Sequence, residues 1–252
     1  MTAWASPRAS ESTTPIRAVV LDLDDTPFDH ATSMRRGVLR LLAELGLRPT
    51  PELARSWEEQ AVRLMERHRA GTLGPEGYRR ARVAHLLAAA GHPDADGMTH
   101  APDVLDQTYA QYLELYEDSW IAFPDAHATL DRLRAAGLRL GVLTNGPEDR
   151  QRRKLRALEI DTRVDALCTS ESVGSRKPDP RMYAAICEVL DVAPEQVLHV
   201  GDDVENDVRG PIAAGMRAVH LDRSSAASSD GPDRGGSCPR RITGLEAILS
   251  MV

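Results

Sequence analysis

Carboxylates are concentrated directly after the first apolar run of the chain, at 18–21. Asp22, Asp24 and Asp25 follow this run, and Thr26 comes next. Like charges a few ångströms apart repel and disfavour ionisation of their neighbours, so such a cluster is costly without a cation. Oxygen ligands without histidine or cysteine favour Mg²⁺ over zinc. The pattern Asp-x-Asp-x-Thr is short, and taken alone it is equally consistent with a solvated turn after a strand.

A second group of carboxylates follows the apolar run 197–200. Asp202 and Asp203 come directly after Gly201, and Asp207 lies five residues beyond Asp202. Asp202 and Asp207 can converge only if the turn between them is tight. The alternative is helix capping, because aspartates at a helix N-terminus accept hydrogen bonds from its free N–H groups and interact favourably with its dipole.

A hydroxyl and a glycine stand where another apolar run ends. Thr144, Asn145 and Gly146 follow this run, and Pro147 precedes a helical pattern. A hydroxyl and free backbone N–H groups at a helix N-terminus suit a phosphate oxyanion. The alternative is that Thr144 only caps this helix, with Pro147 near its first position.

Lysine is rare in this chain. Only Lys154 and Lys177 occur among its 31 basic residues, and the others are arginines. Lys177 lies in a proline-rich loop, where a rigidly held ammonium could offset clustered carboxylates or hold a phosphoryl group. A plain surface position is the alternative, since most lysines are exposed. Lys154 belongs to a basic run at 150–156, which we interpret as a solvated helix face. We therefore expect Lys177→Arg to lose most turnover and Lys154→Arg to lose almost none.

Five short apolar runs predict the scaffold that positions these residues. They cover 18–21, 138–143, 164–167, 197–200 and 218–221. Short runs without alternation predict strands buried on both faces, and their alternation with helical patterns predicts an α/β fold with a parallel sheet. Ligands bind at the carboxyl ends of such strands. Acid, hydroxyl, lysine and acid at one edge of the sheet together favour a site for a metal and a phosphoryl group.

The stretch 28–119 contains no convincing strand. Helical patterns cover 33–45, 51–70, 75–90 and 101–116, and the first three are followed by Gly46, Gly71 and Gly91, where a left-handed residue often ends a helix. We therefore predict an all-helical insert between the first two strands. The tail 1–15 is expected to be loose, and 223–241 to be a flexible loop before a last helix at 245–251.

Composition narrows the class of protein further. With 42% hydrophobic and 27% charged residues the chain is typical of globular proteins, and its net charge of −7 argues against non-specific nucleic-acid binding. It has no apolar run near the ~18 residues of a membrane span and no secretory signal. Cys168, Cys187 and Cys238 lack CxxC spacing, which fits a reducing compartment. We expect a cytoplasmic protein without nucleic-acid or membrane partners, and its oligomeric state stays open.

Taken together, these segments resemble the four motifs of the haloacid dehalogenase superfamily. The matching segments are Asp22-Leu23-Asp24-Asp25-Thr26, Thr144-Asn145-Gly146, Lys177-Pro178, and Gly201-Asp202 with Asp207, in that order, and the similarity runs over 16–222. The resemblance implies a Rossmann-like three-layer core with strand order 5-4-1-2-3, formed by 16–27 and 120–252. It also implies that 28–119 is a helical cap that selects the substrate.

The resemblance implies a catalytic role for each matching residue. Asp22 would attack phosphorus and become an aspartyl-phosphate. Asp24 would protonate the leaving oxygen and then accept a proton from the hydrolytic water. Thr144 and the backbone around Asn145 would hold phosphoryl oxygens, and Lys177 would balance their charge.

It also implies the ligands of a Mg²⁺ ion. These would be Asp22, the backbone oxygen of Asp24, and Asp202. Asp207 would hold a metal-bound water or orient Lys177.

The activity that follows from the resemblance is Mg²⁺-dependent hydrolysis of a small phosphorylated metabolite. Dehalogenases of the superfamily lack an acid at the position of Asp24, and its phosphonatases use a cap lysine, whereas 28–119 contains no lysine. Two alternatives stay open: a sugar phosphomutase, and a non-catalytic phosphate-ligand binding or scaffold protein. The second is motivated by Pro27, which stands where the family has a large aliphatic residue and fixes φ in a hinge. Asp25 and Asp203 have no assigned role.

Overall fold

The computed structural model describes residues 14–93, 95, 97, 101–223 and 240–252. It divides into two compact units, one made of the described residues of Met1–Phe28 and Ala122–Val252, the other of those of Asp29–Ile121. The tail expected at 1–15 and the loop expected at 223–241 lie almost wholly outside the described residues, as does Cys238. Among the helices in the described ranges, none is both long and apolar enough to cross a membrane.

The first unit is built on a parallel sheet of six strands. They are β1 (Ala18–Leu21), β2 (Arg139–Thr144), β3 (Ala166–Thr169), β4 (Val197–Gly201), β5 (Arg217–Leu221) and β6 (Arg241–Ile242). Their order is β3-β2-β1-β4-β5-β6. This confirms the α/β class and the predicted order of five strands. The prediction missed β6 because two residues after a polar stretch leave no apolar run in the sequence.

The centre of this sheet is buried on both faces. All four residues of β1 are at most 1% exposed, and β1 pairs with β2 on one side and with β4 on the other. A strand enclosed in this way needs apolar side chains at successive positions, which is why its sequence is a continuous Ala-Val-Val-Leu run without alternation. Because β1 and β4 are neighbours in register, the residues that follow them emerge side by side at one edge.

The second unit is helical throughout its described elements. They are α1 (His30–Glu44), α2 (Pro51–Arg69), α3 (Pro75–Ala89) and α4 (Pro102–Glu117). Gly46, Gly71 and Gly91 have φ of 69°, 70° and 67°, which confirms the left-handed positions expected after three of these helices. Gly37 lets α1 and α4 approach closely, since a Cβ there would lie 2.8 Å from the Tyr116 Cα.

The remaining helices belong to the sheet unit and flank the strands. They are α5 (Ala126–Ala135), α6 (Glu148–Ala157), α7 (Ser170–Val173), α8 (Pro180–Leu190) and α9 (Gly210–Ala213), with a π-helical turn at Val204–Arg209 and 3₁₀ turns at Pro194–Gln196 and Leu245–Ser250. The last of these is a 3₁₀ helix where a last short helix is expected at 245–251. Helix α8 packs its buried face, including Tyr183 and Ile186, against β2 and β3.

Candidate active site

The two groups of carboxylates meet where β1 and β4 end. Asp22 follows β1 directly, and its N–H donates to the Val200 carbonyl of β4 at 2.9 Å. One carboxylate oxygen from each of Asp22, Asp202 and Asp207 lies within 4.8 Å of the other two. The turn after β4 is tight enough for this convergence because Gly201 has no side chain: a Cβ there would lie 2.5 Å from Asp207 Cγ.

Lys177 lies between two of these carboxylates. Its side chain is 3% exposed, and Nζ lies 2.5 Å from Asp22 Oδ1 and 2.7 Å from Asp207 Oδ1. Burial lowers the pKa of Lys177, but the two carboxylates outweigh it and raise the pKa above its usual value, so the group is an ammonium. The plain surface position is thereby excluded for Lys177.

Burial and neighbouring charges shift the pKa values of the three aspartates differently. Burial raises the pKa of Asp22, and the Lys177 ammonium opposes that rise. For Asp207, Lys177 and His199 outweigh burial and hold the pKa at about 2. Asp202 is exposed at the edge of the group, but partial loss of water there and the Asp207 and Asp25 carboxylates raise its pKa to about 7.

A divalent cation fits this arrangement. Lys177 bonds to Asp22 and Asp207, and burial together with the Asp207 and Asp25 carboxylates disfavours the charged form of Asp202, which a bound cation would favour. Three carboxylates without histidine or thiolate are ligands for a hard ion such as Mg²⁺. The Asp24 carboxylate is not part of the cluster, so Asp24 could contribute to a metal site only through its backbone oxygen, as the resemblance implies.

His199 is a member of this site that the sequence analysis missed. It lies inside β4, is fully buried, and its Nε2 is 3.1 Å from Asp207 Oδ1. Burial lowers the pKa of His199, so the neutral ring donates its Nε2–H to the Asp207 carboxylate. The sequence contains a signal for this role, because a histidine within the apolar run Val-Leu-His-Val is expected to be buried, and a buried polar side chain needs a hydrogen-bond partner.

Thr144 and Asn145 form the neighbouring part of the edge, at the end of β2. Thr144 is 2% exposed, and its Oγ1 accepts a hydrogen bond from Gln151 Nε2 at 3.1 Å. Asn145 uses its side chain on the backbone of Lys177, with Oδ1 accepting from the N–H at 2.8 Å and Nδ2 donating to the carbonyl at 3.1 Å. Asn145 therefore ties the lysine loop to β2, and a phosphoryl contact from Asn145 would have to come from its backbone.

A family model for haloacid dehalogenase-like hydrolases matches residues 16–215, which include all four groups of residues described above. The chain belongs to the haloacid dehalogenase-like hydrolase family. This confirms the family indicated by the sequence motifs.

Relatives of this haloacid dehalogenase-like hydrolase are phosphatases. A phosphoglycolate phosphatase of Nitrosospira multiformis is 32% identical over 203 residues, covering 80% of this chain and 81% of that protein. A glyceraldehyde 3-phosphate phosphatase of Methanopyrus kandleri is 32% identical over 213 residues, covering 82% and 84%. Family and relatives together identify the chain as a hydrolase of phosphoric monoesters.

The solved structures agree on the fold. A HAD-hydrolase of Bacillus subtilis bound to magnesium aligns with a TM-score of 0.73 over 94% of this chain and 99% of that one. The two sequences are 20% identical, so this likeness concerns the fold alone.

Lys154 corrects the interpretation of the basic run in this hydrolase. The run was expected to be a solvated helix face, yet the Lys154 side chain is 4% exposed and its Nζ lies 2.5 Å from Asp24 Oδ1. Nζ also lies 4.5 Å from the centre of the Phe28 ring. The expectation holds for Arg152, Arg153 and Arg156, which are exposed. It is wrong for Lys154, because Lys154 shares the inward face of α6 with Gln151 and Leu155. Because the lysine is buried against Asp24, Lys154→Arg is no longer expected to leave turnover unchanged.

One of the two unassigned acids also has a structural role. The Asp203 carboxylate accepts from the N–H groups of Glu205 and Asn206 at 2.9 and 2.8 Å, so it caps the turn that carries Asp207. Asp25 has a positive φ of 53° and contributes to the field on Asp202.

Proposed function

We propose that this chain is a Mg²⁺-dependent hydrolase of a small phosphorylated metabolite and works through an aspartyl-phosphate on Asp22. The observation that carries the proposal is the buried Lys177 ammonium held between Asp22 and Asp207, with Asp202 beside them. A nucleophile, a fixed cation and a set of hard oxygen ligands within a few ångströms are what phosphoryl transfer needs, because its catalysis is mostly positioning and charge stabilisation.

The reaction proceeds in two displacements at phosphorus. Asp22 forms a bond to phosphorus as the ester P–O bond breaks, and Asp24 gives its proton to the departing alkoxide. Water then attacks the phosphoryl group, Asp24 takes a proton from that water, and the bond to Asp22 breaks to release inorganic phosphate. One residue that acts first as acid and then as base restores itself at each turnover.

The remaining residues bind the phosphoryl group and the metal ion. The Lys177 ammonium and the Thr144 hydroxyl contact phosphoryl oxygens, together with backbone N–H groups near Asn145. Asp22, Asp202 and Asp207, with the backbone oxygen of Asp24, would hold Mg²⁺, which when bound supplies positive charge to the phosphoryl oxygens.

The substrate is assigned only as a class. Relatives are named for phosphoglycolate, glyceraldehyde 3-phosphate and, over 40% of this chain, phosphoserine. These compounds share a two- or three-carbon chain with one phosphate, so we place the substrate among short phosphorylated acids, aldehydes and amino acids. We propose that the helical unit decides which of them is accepted. The buried free cysteines Cys168 and Cys187 fit the cytoplasm as its location.

The test is phosphate release from p-nitrophenyl phosphate by the whole chain and by Asp22→Asn, with Mg²⁺ and after its removal by chelation. We expect turnover by the wild type with Mg²⁺ only, and none by the variant. Equal release by both proteins would refute the proposal. Isomerisation of sugar phosphates faster than phosphate release would instead identify a phosphomutase, and tight phosphate binding without turnover would identify a binding protein.

A further inference from the structure

Helix α6 has a polar inward face. Its buried residues are Gln151, Lys154 and Leu155, so only one of the three is apolar. Burying an amide and an ammonium is costly unless each has a partner. Gln151 and Lys154 stand three positions apart, which puts them on the same side of the helix. Their partners are Thr144 and Asp24, the residues that the mechanism uses for phosphoryl binding and proton transfer.

Gln151 determines where the Thr144 hydroxyl can donate. Because Gln151 Nε2 donates to Thr144 Oγ1 at 3.1 Å, the hydroxyl accepts from the helix side and its single proton is directed elsewhere. The close approach depends on Gly146, since a Cβ at that position would lie 2.6 Å from Gln151 Nε2. The glycine of the second motif therefore makes room for the glutamine amide.

Lys154 binds the Asp24 carboxylate from the buried side of the ion pair. The lysine side chain is 4% exposed and Asp24 is 41% exposed, so the ion pair has one enclosed and one open side. The ammonium also lies 4.5 Å from the Phe28 ring centre, and Phe28 N–H donates to the Leu23 carbonyl at 3.2 Å. The carboxylate is thus fixed to a rigid helix and keeps an open side for a reactant.

We propose that α6 is a positioning helix, in which Gln151 aims the Thr144 hydroxyl at phosphoryl oxygens and Lys154 places the Asp24 carboxylate at the leaving oxygen. Neither residue touches the substrate. The proposal rests on the proposed function, because it assigns roles within that reaction. It predicts two different kinetic signatures, since one residue acts on phosphoryl binding and the other on proton delivery.

The experiment measures kcat/KM for a series of phosphomonoesters from p-nitrophenyl phosphate to alkyl phosphates. For Lys154→Met we expect less than about a threefold loss on p-nitrophenyl phosphate and about a hundredfold loss on alkyl phosphates, because only the poor leaving groups need the proton. For Gln151→Glu, which replaces the donor with an acceptor, we expect about a hundredfold loss on every substrate. Arg156→Met is the matched control on the exposed face of α6, expected within about twofold of the wild type.

Two further measurements separate positioning from folding. Thermal unfolding by circular dichroism reports whether each variant is folded, and Lys154→Arg, which keeps the charge, is expected to recover about tenfold of the Lys154→Met loss on alkyl phosphates. Titration calorimetry with inorganic phosphate and Mg²⁺ is expected to show about tenfold weaker binding for Gln151→Glu and unchanged binding for Lys154→Met.

The outcomes distinguish this proposal from the proposed function. If the wild type turns over and Asp22→Asn does not, a loss by Lys154→Met that is the same for all leaving groups overturns the role of Lys154. A Gln151→Glu variant that binds phosphate as the wild type does overturns the role of Gln151. A wild type that neither hydrolyses the series nor binds phosphate refutes the proposed function, and the positioning roles fall with it.

Discussion

Both lysines of this arginine-rich chain are buried against carboxylates. Lys177 meets Asp22 and Asp207, and Lys154 meets Asp24. An ammonium is a compact point charge with three freely directed donors, whereas a guanidinium is a planar fork that needs more space. Lysine is therefore the better residue where one cation must fit between two converging carboxylates.

Loss of the Lys177 charge is expected to affect both stability and turnover. Lys177→Met leaves two buried carboxylates uncompensated, and breaking such a pair costs about 3–5 kcal/mol of unfolding free energy. Denaturant unfolding at pH 7.5 without Mg²⁺ measures this loss, with Arg156→Met as the control. Lys177→Arg keeps the charge and is expected to recover stability but less than about a tenth of the turnover. Wild-type stability of Lys177→Met would mean that Asp22 and Asp207 are not both ionised.

The raised pKa of Asp202 predicts a pH-dependent metal affinity. Its pKa of about 7 lies above the ordinary 3.8, so in metal-free protein the folded state keeps a proton that the unfolded state has lost. This group therefore lowers stability as pH rises from about 4 to 7. Mg²⁺ must displace that proton, so its affinity rises over the same range and flattens above it.

Calorimetric titration with Mg²⁺ at pH 5.5 and pH 8 measures this effect. A single group with a pKa of about 7 makes binding at pH 5.5 roughly thirtyfold weaker than at pH 8. Asp203→Asn is the control, because asparagine also caps a helix. It should keep the dependence in a slightly weaker form, since the Asp203 carboxylate is the smallest of the contributions that raise the pKa of Asp202. Equal affinity at the two pH values in the wild type would contradict the assignment of Asp202 as a ligand.

At the scale of elements, short turns after the strands decide what meets at the edge of the sheet. In two of these turns, a side chain in place of glycine would clash with a neighbouring residue: Gly201 lies against Asp207, and Gly146 lies against Gln151. The two clashes differ in how easily the neighbouring side chain can move away. The atoms near Gly201 belong to a short, buried carboxylate, whereas those near Gly146 are the end of a longer and more flexible side chain.

Gly146→Ala is therefore expected to fold and to lose activity. The new methyl displaces the Gln151 amide from Thr144 without a backbone clash, so thermal unfolding should stay within a few degrees of the wild type. We expect kcat/KM for p-nitrophenyl phosphate to fall about tenfold, less than for removal of a phosphoryl-binding donor, because the hydroxyl itself remains. Gly74→Ala, where a Cβ meets open space, is the control. An unchanged kcat/KM for Gly146→Ala would show that Gln151 does not direct the hydroxyl.

The sequence predicts some of these elements much better than others. Strands β1, β2 and β4 differ from their apolar runs by at most one residue at either end, because a strand buried on both faces is itself a continuous apolar run. Strand β5 also matches its run to within one residue, although it is only partly buried. Strand β3 begins two residues later than its run, and β6 has no such run at all. The contact between Lys154 and Asp24 joins residues 130 positions apart, so only the packed helix brings them together.

At the scale of the whole molecule, the chain leaves the sheet unit after Phe28 and returns to it at Ala122. These two connecting segments pair with each other. Phe28 and Ala122 form an antiparallel bridge, and Phe123 N–H donates to the Pro27 carbonyl at 2.9 Å. Arg223 donates to the Thr26 carbonyl at 2.7 Å, which fixes the outgoing segment from the sheet side.

Because these segments pair, we expect that residues 29–121 can be replaced by a short turn. Antiparallel neighbours lie about 5 Å apart, which an Asn-Gly hairpin turn can join. The bonds of Lys177 to Asp22 and Asp207, of Gln151 to Thr144 and of Lys154 to Asp24 all lie within the sheet unit, so we expect the shortened chain to fold. It should keep Mg²⁺-dependent hydrolysis of p-nitrophenyl phosphate that Asp22→Asn abolishes.

The shortened chain is also expected to lose its choice of substrate. If the helical unit selects the metabolite, kcat/KM values over a panel of short phosphorylated acids, aldehydes and amino acids should differ by less than about threefold in the shortened chain, since a bare phosphoryl site responds to the shared phosphate alone. The full chain should prefer one member of the panel by about a hundredfold or more, because each recognised group contributes to differential binding. A shortened chain that keeps the full chain's order of preference would place substrate selection in the sheet unit, and one that folds without hydrolysing any ester would make the helical unit part of the catalytic machinery.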